Sequence, residues 1–207
     1  MPWKRLIKIS LLVVVGLIAL RLAVFTEPLD KHREAALLET FSPEQLVDYH
    51  WEHDLAPTLV KALPVEKMAF LSTEEGHVTD IGGKVYFLLK GTSTITAINQ
   101  QSLLISLPDN RHGRLPVKLL FGNTAVASTG WFQANDFANT MDYNAASASL
   151  NQRLLETVVK PLLDSLVVGG RLDWVGAVAL DPGQPLPAIL DIAPFQLVQT
   201  AGSTSSQ

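Results

Sequence analysis

Three observations predict an α+β fold: an N-terminal membrane helix and a helical segment, followed by a five-stranded OB-like β-barrel with a long helix between strands 3 and 4. The first is element order: three strand-like runs, one long helical run, then two more strand-like runs. The second is an opening stretch that is basic and then apolar, Lys4-Arg5-Lys8 before Ile9–Leu20. The third is a helix-start signal, Ser42-Pro43-Glu44-Gln45, well ahead of the first strand. A plain α+β sandwich has the same element order and is the alternative.

Residues 1–25 read as a signal anchor. Positive charge ahead of an apolar run holds the N-terminus in the cytoplasm and sends the rest outward. The positions after the run offer poor cleavage sites, with Arg21 in the way, and no cysteine stands there for a lipid. An uncleaved transmembrane helix over 6–25 is the expectation, with the chain at the inner membrane as a single-pass protein and its C-terminal domain in the periplasm.

Residues 26–76 form the expected stalk and helical segment. Leu46, Val47, Tyr49 and Trp51 carry a helix to about Leu55, Pro57 restarts it and Pro64 interrupts it. Residues 77–200 form the barrel domain. Val85–Ile98 is long and alternating, Leu103–Leu107 ends at Pro108-Asp109-Asn110, and Val117–Phe121 ends at Gly122-Asn123. Phe137, Met141, Ala145, Ala148, Leu155, Val158, Leu162 and Leu166 mark one face of a helix over 136–166, with Asn135 or Asp136 as cap and a break at Pro161. Arg171–Leu180 and Ile189–Val198 are the last two strands, and 201–207 is a Ser/Thr/Gly tail expected to be disordered.

Composition excludes several functions. The 207 residues include no cysteine, which removes disulfides, thiolate metal sites and thiol catalysis. Lys and Arg total 16 against 20 Asp and Glu; beyond residue 25 the balance is 12 against 20, a net of −8. Nucleic acid is therefore not an expected partner, because its affinity comes largely from basic side chains on phosphates.

Individual motifs are weak. His50-Trp51-Glu52-His53-Asp54 places two histidines three apart, but without a third ligand an exposed polar helix face explains them better than a metal site. Gly82-Gly83-Lys84 has the wrong spacing for a phosphate loop and reads as a turn. Ser128, Ser147 and Ser149 lack a nucleophile-elbow frame, and Asp173 and Asp191 lie in strands with their side chains expected in solvent. No catalytic residue, metal or cofactor is expected. The most distinctive stretch is Gly130–Tyr143, aromatic and amide-rich at a loop-to-helix junction. Asp136, Asn139, Tyr143 and, further along, Asn151 are the candidate ligand-binding residues. The competing account is structural: Asp136 caps, Phe137 staples the helix to the barrel, and Asn139 or Asn151 satisfies backbone.

Phe132, Asp136-Phe137, Asn139, Asp142-Tyr143 and Leu150-Asn151 together resemble the pattern of the domain-of-unknown-function 2291 family, predicted bacterial periplasmic lipoproteins. Phe41, Tyr49, Trp51 and Pro57 resemble its N-terminal helical part. Tyr86–Gly91, Gly169-Gly170-Arg171, Val175-Gly176-Ala177 and Ile192-Ala193-Pro194-Phe195 resemble its strands. The resemblance spans about residues 41–198. Two departures stand out: the lipid-bearing cysteine is absent, and Gly122–Gly130 replaces a Gly-Pro…Arg-Gly-Thr run. The resemblance implies a non-enzymatic accessory protein of the envelope, with components of a sugar transporter or a small polar ligand as partners. A membrane scaffold or interaction module and an unrecognised hydrolase are the alternatives.

Overall fold

Fourteen residues in one strand set the frame of the molecule. In the computed structural model, which describes residues 42–71, 77–78 and 83–200, β3 (Val85–Ile98) is buried throughout Val85–Leu89 and alternates between more and less covered positions from Lys90 on. Its first part, Val85 to Thr94, pairs antiparallel with β6 (Arg171–Leu180), and its last part, from Ile95, pairs with β4 (Ser102–Leu107). A register shift between Ile95 and Ala97 lets one strand serve both halves.

The strands ahead of β3 are two-residue pieces. β1 (Leu63–Pro64) runs parallel to β3, and β2 (His77–Val78) runs antiparallel to it. The chain turns from β4 into β5 (Arg111–Pro116) through Asp109 and Asn110, both at positive φ, which these two side chains tolerate. β7 (Ile189–Asp191) lies parallel to β5, and β8 (Ala193–Thr200) lies antiparallel to β6. Pairing runs β7-β5-β4-β3-β6-β8, and Ile192 joins the two ends. The result is an α+β, OB-like half-barrel.

Ile192 is buried where the last strand changes partner, and its N–H donates to the Arg114 carbonyl at 2.9 Å. Two glycines make room for it. A Cβ at Gly113 would stand 2.7 Å from Ile192 Cδ1, and one at Gly176 would overlap Ile192 Cγ2. The interior holds Leu89, Ile105, Leu172, Trp174 and Phe195, with the Trp174 Nε1–H donating to Ser93 Oγ at 3.0 Å. Each such apolar side chain contributes about 1.5–3 kcal/mol on burial.

The helices cover this sheet system. α1 (Pro43–His53) starts at Ser42, whose Oγ accepts from the Gln45 N–H at 3.4 Å, and α2 (Leu55–Val60) follows. A 3₁₀ turn, Val65–Phe70, packs on β3, where a Cβ at Gly91 would come within 2.6 Å of Val65 Cγ1. α3 (Thr124–Thr129) leads into the junction, and α4 (Thr140–Leu154) packs on α1.

Several expectations are corrected. The barrel is not a set of five strands: eight are present among the described residues, including the two short pieces and the division of 189–200 at Ile192. The third long strand is Arg111–Pro116, not 117–121. In β5, Gly113 and Leu115 point inward while His112 and Arg114 point outward; in 117–121 the buried residues are Val117 and Leu120, three apart, which no strand produces. The helix expected over 136–166 is shorter and composite: α4, then a π turn over Leu155–Val159 and a 3₁₀ turn over Lys160–Ser165, where Pro161 lacks the N–H that α-helix needs. Its buried face is Tyr143, Ala146, Ser147, Leu150, Asn151 and Leu154, while Met141 is 79% exposed. The polar members Ser147 and Asn151 hid that face from an apolar periodicity. His50 is 3% exposed, packed among rings and not on an exposed polar face.

The expected anchor over 6–25, the stalk up to residue 41 and the tail over 201–207 lie outside the described residues. Among the described residues no helix is long and apolar enough to cross a membrane.

Candidate functional site

The junction singled out by sequence is closely bonded to itself. α3 ends at Gly130, whose positive φ reverses the chain. Trp131 then turns inward, its Nε1–H donating to Thr58 Oγ1 at 2.9 Å, its ring stacked on His50 at 5.6 Å and edge-on to Phe195 at 6.1 Å. His50 Nδ1 lies 2.7 Å from Asp54 Oδ2, and His53 Nδ1 lies 2.7 Å from the Tyr49 carbonyl, so the two histidines turn to different partners. Among the described residues no cluster of three or more metal-ligating side chains forms.

The four expected site residues fall in three environments. Asp136 is exposed and accepts from the Gln133 N–H at 2.6 Å, closing a capping box on the short 3₁₀ turn Ala134–Asp136. Asn139 is exposed and caps α4, its Oδ1 accepting from the Asp142 N–H at 2.9 Å. Tyr143 is 2% exposed, with edge contacts to Phe132 and Phe137. Burial raises its pKa above the ordinary tyrosine range; Tyr86 adds to the rise and Ser147 opposes it. Asn151 is buried beneath the preceding loop and donates from Nδ2 to the Gly122 carbonyl at 2.9 Å. None of Asp136, Asn139, Tyr143 and Asn151 lines the cleft at the β5–β7 junction.

A cleft of about 510 Å³ opens elsewhere, beside the junction of β5 and β7. Gln101 and Ser102 border it at the start of β4, Arg114 and Pro116 along β5, and Asp191 and Ile192 at the end of β7. The segment from Lys118 to Phe121 closes the remaining side. Arg114 and Asp191 are direct cross-strand partners. Arg114 Nε–H donates to Asp191 Oδ1 at 2.5 Å and Nη2–H to Oδ2 at 2.8 Å, and this bonding raises the guanidinium pKa further. The wall over Lys118–Phe121 is held at both ends: the Val117 N–H donates to the Gln101 carbonyl at 2.9 Å, and Asn151 holds Gly122. Between these points Leu119 is 55% and Phe121 77% exposed. Asn99 shapes the opposite rim, its Oδ1 accepting from the Gln101 and Ser102 N–H groups at 2.9 and 2.8 Å.

Sequence reasoning missed this cleft. The one signal was local charge: Arg111, His112, Arg114 and Lys118 stand within eight positions of a domain that is otherwise acidic.

Comparison with curated proteins finds no match. Among solved structures, an OB-fold protein from Thermotoga maritima is similar at 20% identity and a TM-score of 0.66, over 77% of this chain and 99% of that one. The family profile that matches, over residues 12–198, is that of predicted periplasmic lipoproteins. It replaces the expected single-pass placement in the inner membrane with a periplasmic one. Sugar-transporter partners are likewise not retained, since the comparisons name no transporter, and the expected membrane contact through residues 6–25 lies outside the described residues. With the match running from ahead of α1 into β8, the chain belongs to the DUF2291 family of predicted periplasmic lipoproteins.

Proposed function

We propose that this periplasmic protein is a non-enzymatic binding module whose ligand site is the cleft between β5, β7 and the Lys118–Phe121 wall. One observation carries the reading: a cleft of about 510 Å³ that combines a fixed charged pair with exposed apolar side chains. That size lies in the range of small-molecule sites. Gln101, on the rim, stands in the loop between the first two long strands, one of the loops with which OB-like barrels meet ligands. Asn151 enters as a support, because it holds the end of the wall.

Binding, as opposed to catalysis, is supported by how the polar groups are engaged. Asp191 accepts both Arg114 bonds, so it is poorly placed to take a substrate proton. Ser102 Oγ shares hydrogen bonds with Asn99, and no lining residue is a histidine that could activate it. The exposed Leu119 and Phe121 favour a second reading, a protein-interaction module on the same face.

A thermal-shift screen against sugars, nucleotides and organic acids tests the proposal, run on the wild type and on Gln101→Trp, which fills the cleft from its exposed rim. A ligand of this site raises the melting temperature of the wild type and not of the variant. Equal stabilisation of both proteins places the ligand elsewhere and sinks the proposal.

A further inference from the structure

We infer that the cleft selects an organic anion, a carboxylate carried on an apolar body of about ring size. This rests on the reading of the cleft as the binding site and names its ligand class.

A guanidinium has five N–H groups. In Arg114 two go to Asp191, from Nε and from Nη2, and the other three, including both on Nη1, have no acceptor among the described residues. Asp191 is the cross-strand partner of Arg114 and fixes the guanidinium from one side. A guanidinium fixed in this way presents its remaining Nη edge as a preformed fork for a second carboxylate. Lys118 follows on the cleft wall, exposed, with no ion pair among the described residues.

Charge decides between ligand classes. The lining holds two cations, Arg114 and Lys118, against the single carboxylate of Asp191. An excess cation in a half-open cleft attracts an anion, while a neutral polyol leaves it uncompensated. The same wall offers Leu119 and Phe121, whose exposed surfaces are covered only if the ligand carries an apolar part. Inorganic phosphate satisfies the cations and covers none of that surface. A sugar engages the donors and leaves the charge.

Nuclear magnetic resonance titration of the full chain tests the inference, following the Arg114 side chain and the backbone of Lys118–Phe121. The probes are phenylacetate, its neutral isostere phenylacetamide, inorganic phosphate and glucose. Phenylacetate is expected to shift these signals and to bind about tenfold or more tighter than phenylacetamide, given the usual strength of charged hydrogen bonds. It is expected to bind tighter than phosphate, and to weaken as salt rises. Lys118→Gln, an exposed change that leaves the β5–β7 junction intact, should lower phenylacetate affinity several-fold. Arg114→Lys keeps the charge and removes the fork, and should reduce the preference over phenylacetamide. If phenylacetamide or glucose moves the cleft signals as strongly as phenylacetate does, the anion inference falls and the binding cleft stands. Phosphate binding as tightly as phenylacetate overturns the apolar body. If no probe moves the cleft signals, the inference and the binding reading fall together.

Discussion

In the junction from Gly130 to Tyr143 the polar groups turn back on the chain. Asp136 and Asn139 cap turns, Trp131 reaches Thr58, and Phe132, Phe137 and Tyr143 meet edge to face. In the segment from Val117 to Gly122, a few residues earlier, only the ends are tied. Lys118, Leu119 and Phe121 face solvent beside a cleft. Both stretches carry a phenylalanine and a charged side chain, yet one holds the helices to the sheets and the other leaves its chemistry available. Residue type alone does not mark a site; what matters is whether the side chain's bonding capacity is already used.

The largest expected effect separates the two phenylalanines. Phe132 is buried at the centre of the aromatic group, with His50, Phe137 and Tyr143 around it. Phe132→Ala should cost about 3–5 kcal/mol in urea unfolding, because removing the ring leaves a cavity that its neighbours fill poorly. A loss below about 1 kcal/mol would show that the junction is loosely packed and break the comparison.

Much of the frame was legible because its two long central strands are runs of apolar and β-branched residues. Val85–Ile98 and Arg171–Leu180 have the expected bounds. β5 was hidden because its inward positions are Gly113 and Leu115, and a glycine gives no apolar signal. The face of α4 was misplaced because Ser147 and Asn151 are buried in it while Met141 is not. Caps were readable as chemistry but not as position: Asn139, rather than Asn135 or Asp136, starts α4. The cleft was least legible, since its charged pair joins residues 77 apart in sequence and needs the parallel β5–β7 register to meet.

Smaller effects test the capping account of the junction against a ligand role. Asn139→Ala should cost about 1 kcal/mol, and Asn139→Asp, which keeps the acceptor, much less. Asp136→Ala should behave as Asn139→Ala does. If these variants keep the wild-type melting temperature but lose a ligand-induced shift, the residues are ligand contacts and the capping account fails.

Tyr143 gives an effect that shows only in alkali. Its folded pKa is raised above the ordinary value, mainly by burial. Below about pH 10, the ordinary tyrosine value, the hydroxyl is protonated in both states and the contribution is fully present. As pH rises further the unfolded chain loses that proton first, so stability falls until the folded pKa is passed. Melting temperatures of wild type and Tyr143→Phe should therefore converge or cross above pH 10, the variant declining less steeply. Parallel decline of the two would place the alkaline loss elsewhere.

The smallest expected effect on stability sharpens the contrast most. Phe121 is 77% exposed, so Phe121→Ala removes little buried surface and creates no cavity; the change should stay within about 0.5 kcal/mol. It is the same chemical deletion as Phe132→Ala, made on the other side of the comparison. If the wall is a ligand surface, the variant should keep its unfolding midpoint while phenylacetate binding weakens, because the ring that covers the probe is gone. Leu119→Ala should act in the same direction and less, since its side chain is already partly covered. A destabilisation of Phe121→Ala above about 1 kcal/mol would mean that the ring packs within the protein in solution. The wall would then be a second self-bonded region, and the difference drawn between the two stretches would disappear.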